Sequence, residues 1–296
     1  MVGNHEQAIR LYQDVVNDSP DNLLNNNELD NPFDNDLHRE KRLYYLWAAN
    51  DLGRLWLLKD ESPVNAAAIA TSILEKGEWG LPRSLLSPDW PDDAWPYAVV
   101  AISIYRNLGW ARVRAELPDK AIDPLQKAIN IAKTYEMQYP STFENYRDMS
   151  ERIFTKTEKN ISDFQKEYVE SKFGKKIEEL ELEHQLKEGA YDDYRFKLRQ
   201  EGAVAERGRT ECRLATALDK ALQMGVRVDF QFPAEKREIS KQEIKERAII
   251  AWKTCRDKSG LDGGGTPEEK LLRDSADHQI EILRSSYEVG VTEQSG

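Results

Sequence analysis

At 296 residues, with 40% hydrophobic and 32% charged side chains, the chain can bury a substantial core, and its charged share suits a surface-rich helical fold better than a compact globule. A net charge of −11 argues against a general nucleic-acid binder, which needs clustered Lys and Arg for phosphate. Cys212 and Cys255 are too few for a disulfide framework, no apolar leader opens the chain and no apolar run could span a bilayer; the expectation is a soluble cytoplasmic protein with reduced thiols.

Residues 3–20 run Gly3, Ala8, Tyr12 and then Pro20, with apolar Ile9, Val15 and Val16 between. This stretch resembles the second helix of a tetratricopeptide repeat: Gly precedes the helix, small Ala8 sits at the tight helix contact, Tyr12 follows one turn on and Pro20 stops it. A helix of this kind needs a first helix ahead of it, so the expectation is a chain that begins inside a repeat.

Residues 17–37 are dense in Asn and Asp, which bond to nearby backbone and compete with helix, so a linker is expected. The Gly and terminal Glu of a calcium loop are missing there. Leu43–Leu58 reads as a helix, rich in Leu43, Leu46, Trp47, Leu55 and Trp56. Ser62-Pro63 caps the next one, Ala-rich from Val64 to Lys76 and ended by Gly77. Trp79–Pro96 reads as a loop, with three X-Pro bonds from Ser87 onward. Helix resumes at Asp92–Ala94 and runs to about Ala115; another follows from Pro118 to Tyr139, with Pro124 either inside it or marking its start behind Asp123.

Leu52-Gly53 and Leu108-Gly109 occupy equivalent places, each late in a first helix. Tyr105, Ala121, Leu125 and Ala128 continue the pattern around the second copy, Trp56 takes the large aromatic place around the first, and Arg112 stands where an aromatic is usual. With residues 3–20, these carry a resemblance to tetratricopeptide repeats over residues 3–137, although the two pairs lie 56 residues apart where the repeat period is about 34. The resemblance implies tandem helical hairpins with a concave protein-binding face. The Gly of each pair would let the neighbouring helix pack against bare backbone.

From Ser141 the character changes. Ser141-Thr142-Phe143-Glu144 is a capping box, and a long charged helix follows with a narrow apolar stripe through Ile153, Phe164, Tyr168 and Ile177. Self-association through residues 145–200 is one use of such a seam. Gly189 should end that run, and Tyr191–Gln200 restarts helix. Leu214, Leu218, Ala221 and Leu222 share a face closed by Gly225. Val226–Pro233 alternates with period two, and a linker is favoured over an edge strand for it. Ser240–Glu243 caps a helix carrying Ile244, Ala248, Trp252 and Cys255; Thr266–Glu269 opens a last one, and a disordered tail is expected after Val289. The division expected is 1–140 repeat-like, 141–225 long-helix and 226–296 a small C-terminal helical cluster, all-α throughout.

The chemistry-bearing residues are sparse. The four histidines have no metal-ligand spacing, and neither metal nor cofactor is expected. Arg273-Asp274-Ser275-Ala276-Asp277-His278 resembles the RNA-cleaving motif of HEPN-type helical ribonucleases, which implies phosphate binding by Arg273 and proton transfer by His278 across a dimer. Exposed polar positions on a helix explain the same residues. Six of seven tryptophans lie between Trp47 and Trp110. Trp79, Trp90 and Trp95 in the loop, with Trp56 and Arg112, are the candidate contacts to a protein or peptide partner, because Trp and Arg dominate interface hot spots. The function expected is a non-catalytic scaffold or adaptor subunit; a helical ribonuclease is the alternative.

Overall fold

A computed structural model describes residues 3–18, 36–59, 63–87, 90, 95–138, 188–232, 235–261 and 266–291. These form helices α1 (Gly3–Asp18), α2 (Asp36–Leu57), α3 (Pro63–Trp79), α4 (Trp95–Arg114), α5 (Pro118–Gln138), α6 (Glu188–Met224), α7 (Lys241–Lys258) and α8 (Pro267–Val291). A 3-10 turn spans Arg83–Leu86. One antiparallel hairpin joins β1 (Asp229–Phe232) to β2 (Glu235–Glu238), pairing Phe230 with Arg237. Among the described residues the fold is all-α apart from this ribbon. The expected 17–37 linker, the capping box at Ser141 and the seam proposed for self-association fall wholly or largely outside the described residues.

Several boundaries differ from the sequence reading. α2 starts seven residues before Leu43, at Asp36. Gly77 does not end α3; it is buried inside it, where an added Cβ would lie 3.3 Å from both Ala49 Cβ and Ile104 Cδ1. Gly here makes room for α3 to wedge between α2 and α4. Pro124 lies inside α5, which begins at Pro118. Gly189 lies within α6. Within the period-two run Asp229–Phe232 is a strand where a linker is favoured; its partner is Glu235–Glu238, and that pairing leads the chain back into α7. α8 continues to Val291.

Each helix packs on the next, and the even-numbered helices also pack on one another: α2 on α4, α4 on α6, α6 on α8. The odd-numbered helices barely touch among themselves. The even-numbered helices are thus the more closely spaced layer of the described helices.

Glycine sets the depth of these contacts. Leu52 and Leu108 are buried, and an added Cβ on Gly53 would lie 2.6 Å from Leu74 Cγ, one on Gly109 2.3 Å from Leu125 Cγ. Both Leu-Gly pairs therefore sit at the junction of an even-numbered helix with the helix after it. Gly208 in α6 repeats the device: its Cβ would lie 2.3 Å from the Ser259 backbone nitrogen at the end of α7.

The core is continuous across the borders expected from sequence. One apolar cluster joins Ile122 and Leu125 of α5 with Leu218 of α6, Trp252 of α7 and Ile280 of α8. This cluster includes residues on both sides of position 225. A second cluster joins Ile9 and Val16 of α1 with Leu46, Tyr97, Ile104 and Ile131.

The cysteines also differ from expectation. Cys212 and Cys255 are fully buried and joined in a disulfide, Cα to Cα 4.7 Å, linking α6 to α7. Residues 43 apart in sequence meet because the two helices run back against each other. Reduced thiols are one of the three grounds for the expected cytoplasmic protein, beside the missing leader and the missing membrane run, and the bond removes that one. No described helix is long and apolar enough to cross a membrane.

Candidate functional site

The even-numbered helices enclose a groove of about 690 Å³, lined by α2, α4, α6 and the first turn of α8. Its construction follows from the three glycines. Along α2, α4 and α6 the residues two before, one after and five after the glycine share one face, since offsets of three and seven return to the same side of a helix. The position two before the glycine carries Asp51, Asn107 and Glu206, each with a side-chain oxygen that can accept. The position after carries Arg54, Trp110 and Arg209, and the last carries Leu58, Arg114 and Arg213. Acceptors run along one side of the groove, with guanidinium groups and an indole along the other.

The deep end is a network of charge. Arg106 pairs with Glu206. Arg209 Nη2 donates to Glu206 Oε1 at 2.7 Å. Arg213 Nη2 donates to Glu268 Oε2 at 3.2 Å and lies 3.8 Å from Glu269 Oε1. Its guanidinium stacks 3.9 Å above the Trp110 ring. Burial lowers the Arg213 pKa, and the two glutamates oppose that shift. Nε and Nη1 of Arg213 are buried without a hydrogen-bond partner, a costly state for a charged group. Glu269 closes the capping box of α8: Thr266 N donates to it at 2.9 Å, and its own N–H donates to Thr266 Oγ1 at 3.2 Å. Burial raises the Glu269 pKa, but Arg106, the Thr266 amide, Arg213 and Arg209 outweigh it and hold the carboxyl below its ordinary value.

The other end is simpler. Asn107 Nδ2 donates to Asn50 Oδ1 at 3.0 Å, tying α4 to α2. Arg114 donates to the Leu57 carbonyl. Among the described residues neither Arg54 nor Arg114 has a carboxylate partner. Arginines outnumber carboxylates along the lining by five to four, in a chain of net charge −11.

None of the partner-binding residues expected from sequence lines this groove. Trp79 is 69% exposed at the end of α3, a helix and not the loop expected. Trp90 is buried, its Nε1 donating to Leu85 O at 3.1 Å, so it pins the 3-10 turn to the core. Trp95 opens α4, and its side chain lies outside what is described. Trp56 is half-buried against the cores, with Lys59 Nζ 4.3 Å over its ring. Arg112 faces away from the groove, bridging Glu75 of α3 at 2.9 Å and the Lys120 carbonyl of α5 at 2.8 Å. The groove's tryptophans are Trp47 and Trp110. Aligning the chain on Gly53, Gly109 and Gly208 would have found the lining: arginine follows the first and third by one residue, and the second and third by five.

The Arg273–His278 pair lies on α8 outside this groove. Arg273 Nη2 bonds Asp274 Oδ1 at 3.0 Å, and His278 is exposed. No three metal-ligating side chains come together among the described residues. No family model matches the chain, and neither does any curated protein or solved structure.

Proposed function

We propose that this chain is a non-catalytic, tetratricopeptide-like scaffold that grips an acidic segment of a partner protein in the groove of its even-numbered helices. The observation that carries this reading is the regular lining: three helices present the same face positions, and guanidinium groups on it outnumber their carboxylate partners. Arg54 and Arg114 offer charge-assisted donors to a carboxylate. Such a surface suits an adaptor subunit of a larger assembly.

Affinity capture from the native cell with the wild-type chain and with R54Q/R114Q tests it. Both substitutions change exposed or half-exposed side chains, so the fold should persist by circular dichroism. Proteins held by the wild type should be lost from the double variant. An identical captured set removes the groove as the binding surface. The ribonuclease alternative is tested by incubating RNA with the wild type and with H278A. Cleavage by the wild type that the variant lacks would replace the scaffold reading.

A further inference from the structure

We propose that Glu268, in the first turn of α8, is an internal placeholder for the partner's carboxylate, so that the groove is partly self-occupied until an acidic segment displaces it. This rests on the reading of the groove as an acidic-peptide site. Arg213 is 6% exposed at the groove floor while Glu268, the carboxylate hydrogen-bonded to it, is 46% exposed. A deep cation is thus held by an acid that water already reaches. The second glutamate is different in kind: Glu269 is 7% exposed and is committed to the capping box and to the neighbourhood of Arg106 and Arg213.

Glu268 satisfies one nitrogen of the guanidinium, and Nε and Nη1 remain buried without partners. A carboxylate can bond an arginine through two parallel N–H donors, which is stronger and more directional than the single bond present here. An incoming carboxylate that engaged a second nitrogen would satisfy Arg213 better than Glu268 does. Trp110, stacked on the same guanidinium, keeps the fork fixed in place for the exchange. Glu268 leaves into solvent without breaking the helix cap, because the cap belongs to Thr266 and Glu269.

Fluorescence anisotropy with a dye-labelled hexaglutamate peptide tests this on the full chain, in the wild type, E268Q, R114Q and E246Q. Glu246 is an exposed acid on α7 outside the groove, so E246Q controls for net charge. The expected result is weaker binding by R114Q, unchanged binding by E246Q and affinity raised about tenfold in E268Q, the scale of one charge-assisted bond released. Equal gains in E268Q and E246Q reduce the effect to net charge and overturn the placeholder. Binding by the wild type that R114Q weakens but E268Q leaves unchanged also overturns it while the acidic-groove reading stands. No binding by any of the four overturns both.

Discussion

Replacing Gly109 by alanine isolates the contact that sets the spacing of the stack. In a helix interior the change ordinarily stabilises by about 1 kcal/mol, because glycine gives up more backbone freedom than alanine. Here the new Cβ would lie 2.3 Å from Leu125 Cγ, and 2.8 and 3.0 Å from its two methyl carbons. Leu125 is fully buried and packed in the cluster that joins α5 to α6, α7 and α8, so it has nowhere to turn. Overpacking of this kind costs about 1–3 kcal/mol, and a contact this short belongs at or beyond the upper end. The net expectation is a loss of about 2 kcal/mol, read as a lower urea midpoint at unchanged slope. Leu125→Ala alone should cost about 2–5 kcal/mol. In that background the clash partner is gone, so G109A should change sign and stabilise by about 1 kcal/mol. A G109A protein as stable as the wild type, or one that destabilises L125A too, would refute the assignment of Gly109 to a backbone-to-side-chain junction.

Three further outcomes concern a buried acid, the disulfide and a left-handed turn residue. Burial lifts the Glu211 pKa to about 7, against a partial pull from Lys133, Arg207 and Lys258. The folded value stands above the ordinary 4.5, so this contribution to stability is fully present at acid pH and is lost as pH rises through 7; E211Q should remove up to about 3 kcal/mol of that pH dependence, seen as a flatter curve of unfolding free energy from pH 5 to 8. The Cys212–Cys255 bond spans 43 residues, so reduction should destabilise by about 4 kcal/mol on the loop-entropy scale, and thiol titration of the unfolded, unreduced chain should find no free thiol. Glu116 holds φ 63° between α4 and α5, where Leu117 N donates to Arg112 O at 2.9 Å; E116G should raise stability by about 1 kcal/mol in thermal unfolding, because only glycine takes that left-handed position without strain.

Helical class was legible because apolar side chains recur every three or four residues, and that period is local. The Leu-Gly junctions were legible for a related reason: a glycine inside an otherwise regular helix has few uses besides close approach. The groove was not. Trp79, Trp90 and Arg112 stood out by residue type, yet exposure and orientation depend on which helix packs on which face. Gly208 and the arginines after it were hidden behind the intervening charged segment, which made the third hairpin look like a separate region.

By itself, then, the sequence determined the helical class and the two places where a helix must touch its neighbour backbone to side chain, since both follow from neighbours along the chain. The tertiary structure alone decided that α6 continues the stack, that Cys212 meets Cys255, and that arginines from three helices line one face. Those facts depend on contacts between residues tens of positions apart, and a helix's own periodicity carries no record of its partner.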